Sequence, residues 1–381
     1  MLESYHYLDL PYITESSPGI GGQLRVTPEH FVVDELPLYE PEDQGQHLYV
    51  RLTKVGMTTK DVQKQLEKLF EQGRNDVGFA GMKDKHARTT QTFSLKIGHQ
   101  SDDFPAEAIK RIEENMSVTV EWARLHKNKL KNGHLLGNRF TIVITDLDMP
   151  AAEALEQVQS IAQQLRTSGL PNYFGPQRFG FNGQGIERGL AILLRQQYVK
   201  EHWLRRFLVT SYQSYLCNCY LSRRVQMGAF DQLLLGDIAK KYDTGGIFDV
   251  EDVEMELPRY AKQEISFTAP LYGPKMREAH QDAGALESEI LDSSPITIDD
   301  LRRAKTAGTR RLGRLLIPDF TARLATAEDR TEGSDENLEK SSGQEALVVE
   351  FSLPKGAFAT TVLREIMKVD LTHVPNLDHD N

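Results

Sequence analysis

A single carboxylate between two cations is the feature of this sequence best suited to chemistry. Asp84 lies between Lys83 and Lys85, in a stretch that begins with two glycines, Gly78 and Gly81. Glycines at these positions allow a tight exit from a strand, which would leave Asp84 at the rim of a sheet. Neighbouring cations favour the ionised carboxylate, which suits a nucleophile or a base better than a general acid. A charged hairpin turn would explain the same residues without any chemistry.

Three known motifs can be compared with this stretch by their spacing. A Walker A loop needs about four residues between its glycines, whereas two separate Gly78 from Gly81, and no Ser or Thr follows Lys83 directly. A phosphate-accepting Asp-Lys-Thr loop fails as well, because His86 stands where the threonine is needed. Residues 78–81 do match the GxxG clamp of KH-type RNA-binding modules, although so short a pattern often occurs by chance.

Two aromatic segments could form a platform for nucleic-acid bases. One combines Asn172, Phe174 and Arg178 with glycines, in what reads as a loop leaving a helix. Aromatic faces stack on unpaired bases, and an amide can both donate to and accept from a pyrimidine edge. The other places Phe358 in a glycine-containing loop before a helix whose first turn could bind an anion. A packed corner and a helix cap would account for many of the same residues.

The sequence contains no metal or cofactor signature. Its eleven histidines include no His-x-x-x-His pair, and no GxGxxG follows a predicted strand. The two cysteines, Cys217 and Cys219, are too few for a disulfide framework or a four-ligand metal site. We therefore expect a reaction without metal or cofactor, and thiols that are buried or spectators.

The elements that must position these residues fall into two kinds. Short alternating strands and amphipathic helices predict an α+β fold up to about residue 197 and again after residue 345. The expected strands are 31–33, 48–52, 77–80, 92–97, 118–122, 139–145 and 346–353, and the expected helices are 59–70, 151–166 and 361–369. Between about 198 and 320 the sequence is richer in arginine and mostly helical, with helices expected over 201–224 and 298–316. This change of character indicates an inserted domain.

The charge of the chain is unevenly distributed. The 381 residues are 39% hydrophobic and 26% charged, with a formal net charge of −10. Residues 328–345 alone carry a net charge of −5 and read as a solvated loop. The basic residues form three bunches, which are Arg124, Lys127, Lys129 and Lys131; Arg205, Arg206, Arg223 and Arg224; and Arg302, Arg303, Lys305, Arg310, Arg311 and Arg314. Solvated faces would look the same, but three bunches together are compatible with a nucleic-acid partner.

The N-terminus and the hydropathy pattern bear on location. No apolar run approaches the roughly 18 residues that a membrane span needs, and the N-terminus has no secretory signal. We expect a cytoplasmic protein without membrane association. The oligomeric state is left open, with a monomer as the simplest expectation.

Several segments together resemble the TruD family of tRNA pseudouridine synthases. The two most specific are 78–87, Gly-Phe-Ala-Gly-Met-Lys-Asp-Lys-His-Ala, and 172–180, Asn-Tyr-Phe-Gly-Pro-Gln-Arg-Phe-Gly. Shorter matches occur at 28–33, 45–48, 126–140 and 356–360. The resemblance thus covers most of the chain.

The resemblance implies an enzyme that isomerises uridine 13 in the D arm of tRNA to pseudouridine without a cofactor. Asp84 falls on the family's catalytic aspartate, and Phe31, Asn172 and Phe358 fall on substrate-contacting positions, with Phe174 in the same pocket motif. The basic cleft for tRNA that the family implies has as its candidates here Lys83, Lys85, Arg124, Lys127, Lys129, Lys131 and Arg178.

Two positions depart from the family's usual residues. Arg25, a further candidate for substrate binding, stands where the family commonly has lysine, and the two cations are not interchangeable in geometry. His30 replaces the usual acid before Phe31.

The family also implies an architecture and a type of reaction. A catalytic α+β domain, with a mixed, mainly antiparallel sheet flanked by helices, would comprise 1–197 and 321–381, with an inserted α/β TRUD domain at 198–320. Asp84 would either add at C1′ of the flipped nucleotide or remove the C2′ proton, and the sequence favours neither. A noncatalytic RNA-binding protein that uses the GxxG loop and the aromatics is the alternative, and it would not need Asp84.

Overall fold

The computed structural model describes residues 9–98, 101, 103–331 and 345–371. Their strands are β1 (Gly21–Gln23), β2 (Phe31–Pro37), β3 (His47–Lys54), β4 (Gly78–Phe79), β5 (Arg88–Lys96), β6 (Val118–His126), β7 (Leu135–Leu147), β8 (Leu170–Pro171), β9 (Ile238–Lys241), β10 (Ile247–Asp249), β11 (Ile265–Leu271), β12 (Thr309–Leu312), β13 (Arg314–Leu315), β14 (Thr321–Leu324) and β15 (Leu347–Pro354). Their α-helices are α1 (Thr59–Leu69), α2 (Phe104–Asn115), α3 (Ala151–Ser168), α4 (Gln184–Leu193), α5 (His202–Gln226), α6 (Val253–Ala261), α7 (Gln281–Asp292), α8 (Ile298–Arg303), α9 (Ala327–Thr331) and α10 (Ala359–Met367). Most of the acidic segment 328–345 lies outside the described residues.

The chain forms two compact units, each assembled from separate stretches. The large-sheet unit consists of the described parts of 20–159 and 319–356, and the helical unit consists of 9–19, 160–318 and 357–371. This division does not follow the expected boundaries at 198 and 320, because stretches near both chain ends join the middle of the chain. The boundaries of an inserted domain therefore stay a prediction.

The large-sheet unit is built on a mixed sheet. Its main path runs β14-β15-β7-β2-β5-β3-β6, while β1 pairs with β7 and β4 pairs with β5. The β2–β5 pairing is parallel and the other pairings of this sheet are antiparallel. Apolar residues of α1 and α2 pack on Leu48, Val50 and Phe93 of its strands, and this burial drives the layers together. The predicted α+β class, with a mainly antiparallel sheet flanked by helices, is confirmed.

The helical unit is organised around α5. A four-stranded antiparallel sheet, in the order β10-β9-β11-β12, packs with it, and β8 pairs with β13. The core combines Leu216 and Tyr220 of α5 with Phe267 of β11. Arg224 and Asp237 form a fully buried ion pair at 2.7 Å in the same unit, so this arginine of the second basic bunch has a structural partner.

The predicted helix over 298–316 is wrong beyond its first six residues. The chain leaves α8 through Lys305, at φ +57°, and Gly308, at φ +82°, conformations outside the right-handed helix. Residues 309–312 then form β12 and pair with β11. Arginine and leucine in this run are compatible with either a helix or a strand, and the partner strand β11, distant in sequence, decides.

The ends of the helical unit are tied together by a buried carboxylate. Glu365 of α10 accepts hydrogen bonds from the backbone N–H groups of Ile13 and Thr14, at 3.2 and 3.0 Å, and from Thr14 Oγ1 at 2.6 Å. Lys368 Nζ donates to the Thr14 carbonyl at 2.8 Å. These contacts fix residues 13–14 on α10. None of the described helices is long and apolar enough to cross a membrane.

Candidate active site

Asp84 lies in a loop that the surrounding strands and helix hold on both sides. The loop, residues 80–87, joins β4 to β5. The buried ammonium of Lys54 donates to the Asp84 carbonyl at 2.9 Å, and the backbone N–H of Lys83 donates to Thr59 Oγ1 at 2.8 Å. Gln91 Nε2 donates to the carbonyl of Gly81 at 3.2 Å. The backbone around Asp84 is therefore fixed, so that its side chain has a defined origin.

The cation that contacts the Asp84 carboxylate is Arg25. One amino group of its guanidinium lies 2.7 Å from Asp84 Oδ2, and its carbon Cζ lies 3.9 Å from the centre of the Phe31 ring. The Arg25 side chain is 2% exposed, whereas that of Asp84 is 49% exposed. A buried cation thus holds one oxygen of a half-exposed carboxylate and leaves the carboxylate accessible from solvent.

The two lysines next to Asp84 in sequence take different positions. Lys83 points into the protein, where its ammonium pairs with Glu35 Oε2 at 2.8 Å and both side chains are buried. Glu35 Oε1 also accepts from the backbone N–H of Thr92 at 3.2 Å. Lys85 is exposed. The structure thus gives Lys83 a structural partner, and Lys85 alone of the two presents its charge to solvent.

Phe31 and His30 are both packed within the large-sheet unit. Phe31 is 3% exposed, and its ring meets Phe140 edge to face with centroids 6.2 Å apart. The Arg25 guanidinium also contacts the Phe31 ring. His30 is buried, and this burial lowers its pKa while Glu29 acts in the opposite direction. We call Arg25, Phe31 and Asp84 the carboxylate cluster.

Asn172 is held by a residue that no sequence motif singles out. Arg311 of β12 donates from Nε to the Asn172 carbonyl at 2.8 Å and from an amino group to Asn172 Oδ1 at 2.5 Å. Asn172 Nδ2 donates to the carbonyl of Leu312 at 2.8 Å. The amide therefore has a fixed orientation. Asn172 and Arg311 are 139 positions apart in sequence, which explains why no local pattern could reveal the pair.

Phe174 and Phe358 form an aromatic pair beside Arg311. Their ring centroids are 5.9 Å apart, and the Arg311 guanidinium lies 3.9 Å from the centre of the Phe174 ring. Asn218 of α5 fixes the backbone of Phe174, accepting from its N–H at 2.8 Å and donating to its carbonyl at 2.9 Å. Both phenylalanines are partly exposed. At Gly175 an added Cβ would lie 2.5 Å from Thr360 Oγ1, so glycine permits the close approach of the segment that carries Phe358.

Two guanidinium groups in this region are poorly solvated. Arg178 donates from Nε to Ser214 Oγ at 3.0 Å, and its Cζ lies 5.1 Å from the centre of the Phe207 ring. Burial lowers the pKa of Arg178 to about 10. Burial also lowers the pKa of Arg311 to about 10, with Cys217 acting against the shift and Arg178 adding to it. We call Asn172, Phe174, Arg178, Arg311 and Phe358 the aromatic cluster. Its arginines would gain from an anion close by.

Nearby carboxylates pair with two of the four cations in the first basic bunch. Arg124 donates two hydrogen bonds to Asp43, at 2.6 and 2.7 Å, and Lys127 pairs with Glu42 at 2.6 Å. The other two members are Lys129, which donates to the carbonyl of Asn75 at 3.0 Å, and Lys131, which is exposed. A bunch read from sequence therefore overstates the charge that is available to a phosphate.

The GxxG stretch has a packing role in the structure. Gly78 is buried in β4, and a Cβ there would lie 2.2 Å from the carbonyl oxygen of Leu130. Glycine is thus required by the packing of the strand, without an RNA backbone. Within the described part of the chain, no group of three or more His, Cys, Asp or Glu side chains could hold a metal ion. Cys217 is buried, and burial raises its pKa to about 12.

The sequence is similar to one protein family and to individual members of it over most of the chain. The model of the family described as tRNA pseudouridine synthase D (TruD) matches residues 7–200 and 196–366. A tRNA pseudouridine synthase D of Thermus thermophilus is 39% identical over 369 residues, which cover 97% of this chain and 94% of that protein. Its counterpart in Anaeromyxobacter dehalogenans is 37% identical over 370 residues, with coverage of 95% and 97%.

A solved structure is similar in fold. The crystal structure named for tRNA pseudouridine synthase D (TruD) from Methanosarcina mazei superposes with a TM-score of 0.74. It is 24% identical in sequence and the similarity covers 94% of this chain and 96% of that one. At this identity the likeness concerns the fold alone.

Proposed function

The chain belongs to the TruD family of tRNA pseudouridine synthases, which are isomerases, and from this premise we propose that it converts uridine 13 in the D arm of tRNA to pseudouridine. The observation that carries the proposal is the carboxylate cluster. A carboxylate that is 49% exposed, with one oxygen 2.7 Å from a buried guanidinium, suits attack on a sugar that is presented from solvent.

Asp84 is the catalytic carboxylate in this proposal. The C1′–N1 bond of the uridine breaks, the uracil turns over, and C5 joins C1′; N1 ends with a proton and C5 gives one up. Since Arg25 contacts Oδ2, we expect Oδ1 to act on the sugar. It either adds at C1′, which gives a covalent intermediate, or removes the C2′ proton, which gives a glycal. Arg25 orients the carboxylate in both routes.

The aromatic cluster binds the nucleotide in this proposal. Taking a base out of a folded tRNA costs a few kcal/mol, and stacking on an aromatic ring returns about 1–3 kcal/mol. Phe174 and Phe358 are partly exposed and can offer ring faces. Asn172 is 5% exposed and its amide bonds Arg311 and Leu312, so it would have to exchange one of these partners to bind the uracil edge. Arg178 and Arg311, whose pKa values burial lowers, would stabilise a phosphate. Phe31 is buried and supports Arg25, so we assign it no contact with the base.

The RNA contacts of the large-sheet unit follow from exposure. Lys85 and Lys131 are exposed and are the strongest candidates for phosphate contacts. Arg124, Lys127 and Lys129 would first have to leave the partners described above, and Lys83 is buried against Glu35. We further propose that the enzyme acts in the cytoplasm as a monomer, without cofactor, and that 198–320 corresponds to the family's inserted domain.

The test is an incubation of the purified protein with an unmodified tRNA transcript that carries uridine at position 13. Pseudouridine is then located by chemical labelling and reverse transcription. We expect product at position 13 and none in a matched transcript with cytidine there. A transcript that is bound but remains unmodified at every uridine would refute the proposal and favour a noncatalytic RNA-binding protein.

A further inference from the structure

The helical unit contains a basic groove outside both clusters. The groove has a volume of about 970 Å³ and lies among the end of α4, the first turns of α5 and the segment after α8. Its cationic side chains are Arg195, Arg205, Arg206, Arg303 and Lys305, and its one acidic lining residue is Asp300. No member of the carboxylate cluster or the aromatic cluster lines it.

The single acid does not balance these cations. The Asp300 carboxylate accepts from the backbone N–H of Thr297 at 2.8 Å and from its hydroxyl at 2.7 Å, which caps α8, and it also pairs with Arg303. Among the residues that the structure describes, no carboxylate lies within ion-pair distance of Arg205, Arg206 or the other two cations, Arg195 and Lys305. The charge of Arg195 acts on the Asp300 carboxylate and helps to lower its pKa. Arg205, Arg206 and Lys305 are therefore the groove cations most open to solvent or to a ligand.

The place of two of these arginines argues against a purely structural role. Arg205 and Arg206 lie in the first two turns of α5, which begins at His202. The helix macrodipole is positive at this end, so cations there are unfavourable and acids are favoured. Arg195 and Lys305 follow helix C-termini, where the dipole alone would favour them. As the fourth and fifth residues of α5, Arg205 and Arg206 gain no stability from the helix dipole, whereas a bound anion would be favoured there.

An exposed aromatic ring accompanies the charges. Tyr198 lines the groove and is 80% exposed. Because so exposed an aromatic ring makes few contacts with the protein core, its face can stack on an unpaired base. Guanidinium groups that are not bound to carboxylates match phosphate oxygens with two parallel hydrogen bonds.

We propose that this groove binds the sugar-phosphate backbone of the RNA substrate, away from the nucleotide that reacts. The proposal rests on the proposed function for the identity of the RNA. Because the lining shares no residue with the two clusters, the groove contributes to affinity and leaves the chemical step unchanged. It supplies positive charge to a protein whose net charge is −10.

The experiment compares two double variants that lose the same formal charge. Arg205→Ala with Arg206→Ala removes two groove cations. Arg223→Ala with Arg302→Ala, the control, removes one arginine from each of α5 and α8, both outside the groove lining and paired with Glu289 and Asp299. The dissociation constant for unmodified tRNA is measured at several salt concentrations. We expect the groove variant to bind roughly tenfold more weakly at moderate salt, with the slope of log K against log salt reduced by about 2.

Affinity equal to that of the control would overturn the proposal. Single-turnover rates supply a second readout, since saturating enzyme should restore the wild-type rate in the groove variant. A lower rate at saturation with unchanged affinity would also overturn it. Thermal unfolding checks that both proteins are folded. If the Arg205/Arg206 variant does not fold, Arg195→Ala with Lys305→Ala tests the same groove from two exposed positions.

The binding assay needs no turnover, which separates this proposal from the proposed function. A wild-type protein that forms no pseudouridine refutes the function, while the groove is still judged by tRNA affinity. An active wild-type protein whose groove variant binds tRNA normally refutes the groove alone.

Discussion

The carboxylate cluster and the aromatic cluster differ in how their buried cations are stabilised. Arg25 is buried, but Asp84 balances its charge at 2.7 Å. Arg178 and Arg311 are also poorly solvated, and burial lowers the pKa of each to about 10. A balanced cation fixes the position of its partner, whereas a desolvated one is stabilised when an anion arrives. The first arrangement suits chemistry and the second suits binding.

We therefore expect variants of the two clusters to lose different properties. Changes at Asp84 should remove the reaction and leave binding intact. Changes in the aromatic cluster should weaken productive binding of the nucleotide without unfolding the protein. Phe31, which is packed beneath Arg25, should behave as part of the fold.

The largest effect is expected for Asp84→Asn. The amide keeps the shape of the side chain but can neither attack C1′ nor accept the C2′ proton, so turnover should fall below detection. Affinity for tRNA should stay within a few-fold of wild type, because a half-exposed residue in the loop contributes little to phosphate contacts. Product formation and tRNA binding are measured on the same preparation. Multiple turnover by the pure variant would remove Asp84 from its assigned role.

Phe31→Ala should chiefly destabilise the fold. A side chain that is 3% exposed and packed on Phe140 leaves a cavity when it is truncated, and such changes cost about 3–5 kcal/mol. Chemical denaturation gives the free energy of unfolding directly. A normal unfolding curve with lost activity would mean that Phe31 contacts the base after all, as the family resemblance implies.

Phe358→Ala should show the reverse pattern. Its ring is partly exposed, so the loss of stacking should lower kcat/KM by the equivalent of about 1–3 kcal/mol while unfolding changes less. The matched control is Phe31→Ala, which removes the same side chain in the other cluster. If the residual activity of Phe358→Ala only follows the folded fraction, the aromatic cluster is structural.

Arg311→Lys should reduce activity through Asn172. Lysine keeps the charge but cannot donate to both oxygens of Asn172 in the same planar geometry, so the amide should lose its orientation and kcat/KM should fall roughly tenfold. Asn172→Ala should give a similar loss, and the melting temperature should fall as well, because the side chain is 5% exposed and its removal leaves buried partners unsatisfied. In a double-mutant cycle the two changes should not add, because one residue acts through the other. Additive losses would contradict this coupling.

Arg124→Ala should have the smallest effect. Its charge is already balanced by Asp43, so tRNA affinity should stay within about twofold at moderate salt. Hydrogen bonding from Arg124 lowers the pKa of Asp43. The stabilisation from this pair is therefore present above the usual carboxyl range and is lost as pH falls through the lowered pKa. Melting curves of wild type and variant across acidic pH should converge. A large loss of tRNA affinity would mean that the pair opens for RNA.

Much of the fold can be predicted because the relevant signals are local. The alternation of Phe140, Ile142 and Ile144 predicts the strand that is β7, and the apolar spacing of 151–166 predicts α3. The fold class follows from such patterns, and the family from the two long motifs. These signals depend on residues that are close in sequence.

The features that the sequence does not reveal depend on partners far away in the chain. The basic bunch that contains Arg311 predicts a helix, but Arg311 lies on a strand and holds Asn172. Lys83 is expected beside RNA, but Glu35, 48 residues away, draws it inward. The cation at Asp84 is Arg25, which is 59 residues distant. A charge pattern in the sequence gives the number of cations, whereas the tertiary partner of each cation decides whether that cation is available to RNA.

The tie between Glu365 and residues 13–14 affects when the protein can fold during synthesis. In the helical unit, residues 13–14 cannot make their contacts with α10 until α10 has been synthesised, since Thr14 and Glu365 are 351 residues apart in sequence. In the large-sheet unit, β15 lies between β14 and β7 and is also made late. Neither unit is complete until β15 and α10 have been synthesised, and contacts of such long range form slowly. A product that stops before β15 and α10 would leave both units unfinished, with the surfaces that these elements cover exposed.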